Sequence, residues 1–119
     1  MGIRSDVAFA AKPDVVSNLT PESRETILRY FGEPVETTDE GTLWFVEGTK
    51  WYSTLYPELV ALYKDLGQNP AFEKDDYLLV EGCYDYPEHG DNGDIGEWDD
   101  NPWQVCREVR VCVNYYLTE

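Results

Sequence analysis

Thr42-Leu43-Trp44-Phe45-Val46-Glu47-Gly48-Thr49-Lys50-Trp51-Tyr52 carries a strand–turn–strand pattern. Two runs rich in apolar, aromatic and β-branched residues, 42–46 and 49–52, flank Glu47-Gly48. Glycine takes a positive φ at little cost, so the stretch predicts a tight hairpin turning at Glu47-Gly48. Trp44 and Trp51 then fall on strands, where aromatics serve as core or cross-strand partners.

Upstream, residues 3–11 alternate, with Ile3, Val7, Phe9 and Ala11 on one side and Arg4, Asp6 and Ala8 on the other, which predicts a first strand. Val15, Val16 and Leu19 give one helical turn. Thr20-Pro21-Glu22 then starts a longer helix, with Thr20 as N-cap, Pro21 at the first helical position and Glu22 complementing the dipole. Ile27, Leu28 and Phe31 supply its apolar stripe, and Gly32 and Pro34 stop it. Asn18-Leu19-Thr20 matches a glycosylation sequon, but the capping role of Thr20 accounts for it.

Downstream, Leu55, Leu59, Leu62, Tyr63 and Leu66 predict a second helix over 54–66, ended by Gly67 and Pro70. The run Tyr77-Leu78-Leu79-Val80 predicts a central strand over 77–84. Alternation through 105–117, broken at Arg107, predicts one long last strand. Its Cys106 and Cys112 would then stand roughly 20 Å apart, too far for a bridge. The order strand, helix, hairpin, helix, strand, loop, strand predicts a single α+β domain over 1–119. The expected architecture is a ferredoxin-like β-α-β-β-α-β arrangement with an extra C-terminal strand, its sheet antiparallel or mixed with helices on one face. An exposed final strand leaves room for a homodimer paired across a two-fold axis.

Composition limits the function. The chain has 24 Asp and Glu against 9 Lys and Arg, a formal net charge of −15. Such a field repels nucleic acid and anionic membranes and favours a basic partner. Aromatic residues make up 14% of the chain, too many for a disordered acidic tail. Three cysteines with no C-x-x-C pair, no apolar run near membrane-span length and no signal-like N-terminal core predict a reducing cytoplasm.

Residues 85–100 are the least ordinary segment: they hold seven carboxylates, three glycines and a proline, with no Lys or Arg. A loop this long between strands is usually functional or mobile. A calcium site is one reading, but Gly93 and Ile95 stand where an EF-hand counted from Asp91 needs oxygen ligands. A His89 active site, flanked by Glu88 and Asp91, is a second; it lacks both a nucleophile and a rigid support. The reading adopted is an interaction surface, with neither a cofactor nor a metal. Asp85, Glu88, Asp91, Asp94, Glu97, Asp99 and Asp100 would steer a basic partner, while Tyr86 and Trp98 supply aromatic anchors. The bland alternative is a solvated acidic loop. Glu33, Glu36, Asp39 and Glu40 form a further acidic cluster, and the two would make a continuous negative face if they fold side by side.

In its size, its acidity, and the stretch 44–52 followed by a helix and an acid-rich, glycine-containing tail, the chain resembles small accessory proteins of bacteriophages. Among these are inhibitors of host restriction or CRISPR systems, several of them acidic DNA mimics. The resemblance implies a non-enzymatic anti-defence inhibitor acting in the bacterial host cytoplasm on a basic, nucleic-acid-binding enzyme. The alternatives are an immunity protein or antitoxin that neutralises a basic toxin, and a phage accessory protein without an inhibitory role.

Overall fold

The structure is a computed structural model that describes residues 4–83, 94–107 and 111–112. Strand β1 (Ser5–Ala11) is the centre of the fold, and every one of its residues is buried. It pairs antiparallel with β3 (Gly41–Thr49) on one side and β4 (Tyr77–Cys83) on the other. β2 (Glu36–Thr38) adds to β3, and β5 (Ile95–Gly96) adds to β4. The result is an antiparallel five-stranded sheet in the order β2-β3-β1-β4-β5.

Three helices, α1 (Pro13–Asn18), α2 (Pro21–Phe31) and α3 (Pro57–Gln68), bring Val15, Ile27, Leu59, Leu62 and Leu66 against one face of this sheet, joined by Leu19 just after α1. Each begins with proline in its first turn, where the missing N–H costs nothing. Thr20 caps α2 by accepting from the Ser23 amide at 3.1 Å. The Arg24 guanidinium donates back to the Val16, Ser17 and Leu19 carbonyls, which satisfies acceptors left open at the end of α1.

The expected hairpin at Glu47-Gly48 is absent; β3 runs straight through it. Between the pairs Ser5↔Thr49 and Val7↔Val46, β3 carries one more residue than β1, which is a β-bulge. Gly48 has φ +65° there, and its amide donates to Asp6 Oδ1 at 3.0 Å. The glycine signal was therefore genuine, but it marks a bulge and explains why a carboxylate is buried on β1. The hairpin lies earlier, where Thr38↔Gly41 pairs β2 with β3 around Asp39-Glu40. Trp51 falls outside the strands and is still core, its ring set among Tyr30, Phe31 and Tyr63.

Three further expectations are corrected. Leu55 lies outside α3 and is 73% exposed, because Pro57 is tolerated only in the first helical turn and disfavours helix at the residue before it. Leu28 is 57% exposed and stands off the core stripe. In place of one long last strand, β6 (Cys106–Arg107) and β7 (Val111–Cys112) pair antiparallel as a separate two-stranded sheet, with Cys106 directly opposite Cys112. The fifth strand of the main sheet comes instead from the acidic segment, at Ile95-Gly96.

Candidate functional site

The register places the acidic turns together. Ala11 pairs with both Thr42 and Tyr77, so the end of β1 aligns with the beginnings of β3 and β4. Thr38↔Gly41 and Leu78↔Gly96 bring the ends of β2 and β5 to the same edge. Three acidic pieces therefore leave one end of the sheet: Asp39-Glu40, the 3-10 turn Lys74–Asp76 with Glu73 before it, and residues 97–100. From β3 to β5 this row crosses three interstrand spacings, roughly 14 Å at about 4.8 Å each.

Backbone hydrogen bonds fasten the 3-10 turn to residues 97–100 and to the end of β1. The Glu97 amide donates to the Lys74 carbonyl at 2.7 Å, Trp98 to Tyr77 at 3.1 Å, and Lys12 to Asp76 at 2.9 Å. Gly96 makes the close approach possible. Its φ is +90°, and a Cβ there would collide with the Tyr77 carbonyl oxygen and ring.

Trp98 anchors this end from inside. It is buried, packs edge-on to Trp103 at 6.2 Å between ring centroids, and lies under the Lys12 ammonium, 5.6 Å from its ring centre. It is therefore part of the core, not an exposed anchor for a partner: the acidic segment uses its tryptophan to hold itself down. Trp103 is fully buried, and its indole N–H donates to Glu36 Oε1 at 2.6 Å. Asn101 clips the loop shut, donating to the Trp98 carbonyl and accepting from the Val105 amide, both at 2.9 Å. Together Trp98, Trp103 and Val105 cover Ala8, Ala10, Leu43 and Val80 on the face opposite the helices. Sequence reasoning missed Asn101, Trp103 and Glu36 as structural partners; their one signal was an Asn-Pro dipeptide followed by a second tryptophan.

Of the residues expected to bind a partner, Glu97, Asp99 and Asp100 are exposed on this acidic end, and no ion pair draws them in among the described residues. Asp94 is also exposed but sits before β5, where its Oδ1 accepts from the Glu81 amide at 3.0 Å. Asp85, Tyr86, Glu88, Asp91 and His89 lie outside the described residues. Asp75 is exposed and joins the row from the 3-10 turn, and Asp39 and Glu40 join it from the hairpin. Glu33, by contrast, follows α2, and Glu36 is turned to Trp103. Among the described residues, Lys12, paired with Asp76 at 3.4 Å, and Lys74 are the cations within these turns.

Two other polar clusters are built into the scaffold. Asp65 on α3 reaches the start of α2, where its Oδ2 accepts from Ser23 Oγ at 2.7 Å and from the Thr20 amide and hydroxyl at 3.2 Å, while Oδ1 accepts from Asn69. Burial pushes its carboxyl up, but these bonds from Ser23, Asn69 and Thr20 outweigh burial and hold it below the usual range. Near β5, Ser5 donates to Glu81 at 2.6 Å, and Trp51 donates to the Tyr63 hydroxyl at 2.9 Å. Burial raises the Tyr63 phenol, and the charges of Glu81 and Asp94 add to the effect. An open groove of about 520 Å³ runs past Tyr63 and Lys64 on α3. Among the described residues no group of three or more His, Cys, Asp and Glu side chains could hold a metal ion, and no helix is long and apolar enough to cross a membrane.

Comparison with known protein families, with curated proteins and with solved structures gave no match.

Proposed function

We propose that the chain is a non-enzymatic binder that presents the acidic end of its sheet to a basic protein. The observation that carries this is the convergence of Asp39-Glu40, Glu73–Asp76 and Glu97–Asp100 at one edge, although they are far apart in sequence. Like charges gathered on one surface repel one another and work against folding. A solvated loop that only confers solubility has no need to gather them. Gathered, they steer a cationic partner and fix its orientation.

The partner class follows from the same chemistry. A basic groove built to hold a row of phosphates also accepts a row of carboxylates, so a nucleic-acid enzyme of a bacterial defence system is the reading favoured here. In that reading the chain acts in the host cytoplasm as a phage-type inhibitor. A basic toxin is the alternative partner, with the chain as its immunity protein or antitoxin. The strand order β2-β3-β1-β4, all antiparallel, supports a ferredoxin-like core for this scaffold, to which β5 adds the acidic edge.

The test is capture from bacterial lysate at low salt and at about 0.5 M salt, where the screening length falls to a few ångströms. Recovery of a basic nucleic-acid enzyme that is lost at high salt is expected. Salt-insensitive capture of a protein with no nucleic-acid function would overturn the reading, and recovery of a basic toxin would shift it to the alternative.

A further inference from the structure

We propose that Cys106 and Cys112 form a dithiol that a small-molecule disulfide closes into an intrachain bridge. Read along the chain as one extended strand, these positions lie far apart. The pairing of β6 with β7 reverses that, because Cys106 and Cys112 are direct register partners in an antiparallel ladder. Opposed residues in such a ladder have Cα atoms about 4.5 or 5.5 Å apart, depending on whether the pair is hydrogen-bonded. Disulfide-linked cysteines have Cα atoms about 4.4–6.8 Å apart. Both ladder spacings fall in that window, so the bridge forms without a change of register.

The chemistry balances as two thiol–disulfide exchanges. The thiolate of one cysteine attacks the small disulfide, forms a mixed disulfide and releases one small thiol. The second cysteine, as thiolate, attacks the protein sulfur of that mixed disulfide and releases the second small thiol. The two cysteines lose two protons and two electrons, and the small disulfide gains both. With a net charge of −15 the chain repels anionic oxidants, so an uncharged one, 2-hydroxyethyl disulfide, is the suitable probe. Cys83 is the competing thiol: it ends β4, against which β6 and β7 both lie, but its register partner on β1 is Ser5.

Arg107 and Arg110 stand between the two cysteines, which gives a direct readout. The full chain is treated with 2-hydroxyethyl disulfide, its remaining thiols are alkylated, and it is digested with trypsin without reductant. Cleavage after Arg107 and Arg110 severs the backbone between Cys106 and Cys112. The fragment ending at Arg107 and the fragment starting at Val111 should nevertheless stay joined and separate on reduction, the bridge accounting for a loss of about 2 Da beside whatever adduct Cys83 carries. The Cys83→Ser variant should give the same joined pair, and Cys106→Ser should give none. Separate fragments carrying hydroxyethyl or alkyl adducts would overturn the proposal. So would a joined pair that survives Cys106→Ser, or one that is lost in a folded Cys83→Ser chain, since either makes Cys83 the true partner.

Discussion

On the helix face of the sheet, Val7, Phe9, Trp44 and Leu79 meet Val15, Ile27, Leu59, Leu62 and Leu66; on the other face, Ala8, Ala10, Leu43 and Val80 meet Trp98, Trp103 and Val105. Helices cover the first face with many aliphatic side chains at regular spacing. The second is covered by a loop whose two indoles fill the space left by two alanines on β1. A buried tryptophan removes up to about 250 Å² from water, which at about 25 cal/mol per Å² puts several kcal/mol into one residue. A short irregular segment can therefore seal a face that would otherwise need a helix. The consequence for function is that the acidic end is mounted on core and does not trail from it.

The sharpest way to break this contrast is Trp103→Ala, expected to cost about 3–5 kcal/mol by cavity formation, with Glu36 losing its donor as well. Leu62→Ala on the helix face should cost about 2–5 kcal/mol by the same mechanism. Urea denaturation would compare them; a loss under about 1 kcal/mol for Trp103→Ala would mean that the loop is not a true second layer. Gly96→Ala comes next, at about 1–3 kcal/mol, because its positive φ and the Tyr77 carbonyl leave no room for a Cβ. Hydrogen exchange should show that change loosening residues 97–105 ahead of the helices.

Asp65→Asn is smaller, about 1–2 kcal/mol, because the partly exposed network keeps its geometry and loses the charge on its acceptor. The sign with pH follows from the depressed carboxyl. Its stabilisation is fully present above the unfolded value of about 3.9 and is lost as pH falls through the lower folded value. Subtracting the Asp65→Asn curve from that of the natural chain isolates the Asp65 contribution, and a flat difference below about pH 4 would refute it. The smallest effect belongs to the exposed carboxylates. Neutralising Asp75, Glu97, Asp99 and Asp100 should move stability by no more than about 0.5 kcal/mol each, upward at low salt.

The same contrast explains what the sequence disclosed. Periodic elements were legible: β1, the Thr20 cap, the two main helices and β4 all carry a period or a cap that local physics reads directly. Gly48 was detected but misassigned, since a positive φ serves a bulge as well as a turn and only the pairing partner separates the two. The pair β6–β7 was hidden because Cys106↔Cys112 and Arg107↔Val111 preserve the odd–even pattern, and no Gly, Asn or Pro stands between them. At the candidate site, the acidity of residues 97–100 was legible. The burial of Trp98 and the arrival of Asp39, Glu40 and Asp75 beside that segment were not, because they depend on strand register between segments distant in sequence.

The proposed binding face rests on the position of the carboxylates and not on the total charge. Two variants with equal net charge decide it: Asp75, Glu97, Asp99 and Asp100 changed to their amides, against Glu22, Glu25, Glu33 and Glu47 changed to theirs, all exposed positions. Each is titrated against the captured basic partner across a salt series. The first set is expected to weaken binding at least tenfold and to flatten its salt dependence, and the second to change it less than threefold. Equal losses from both sets would contradict it.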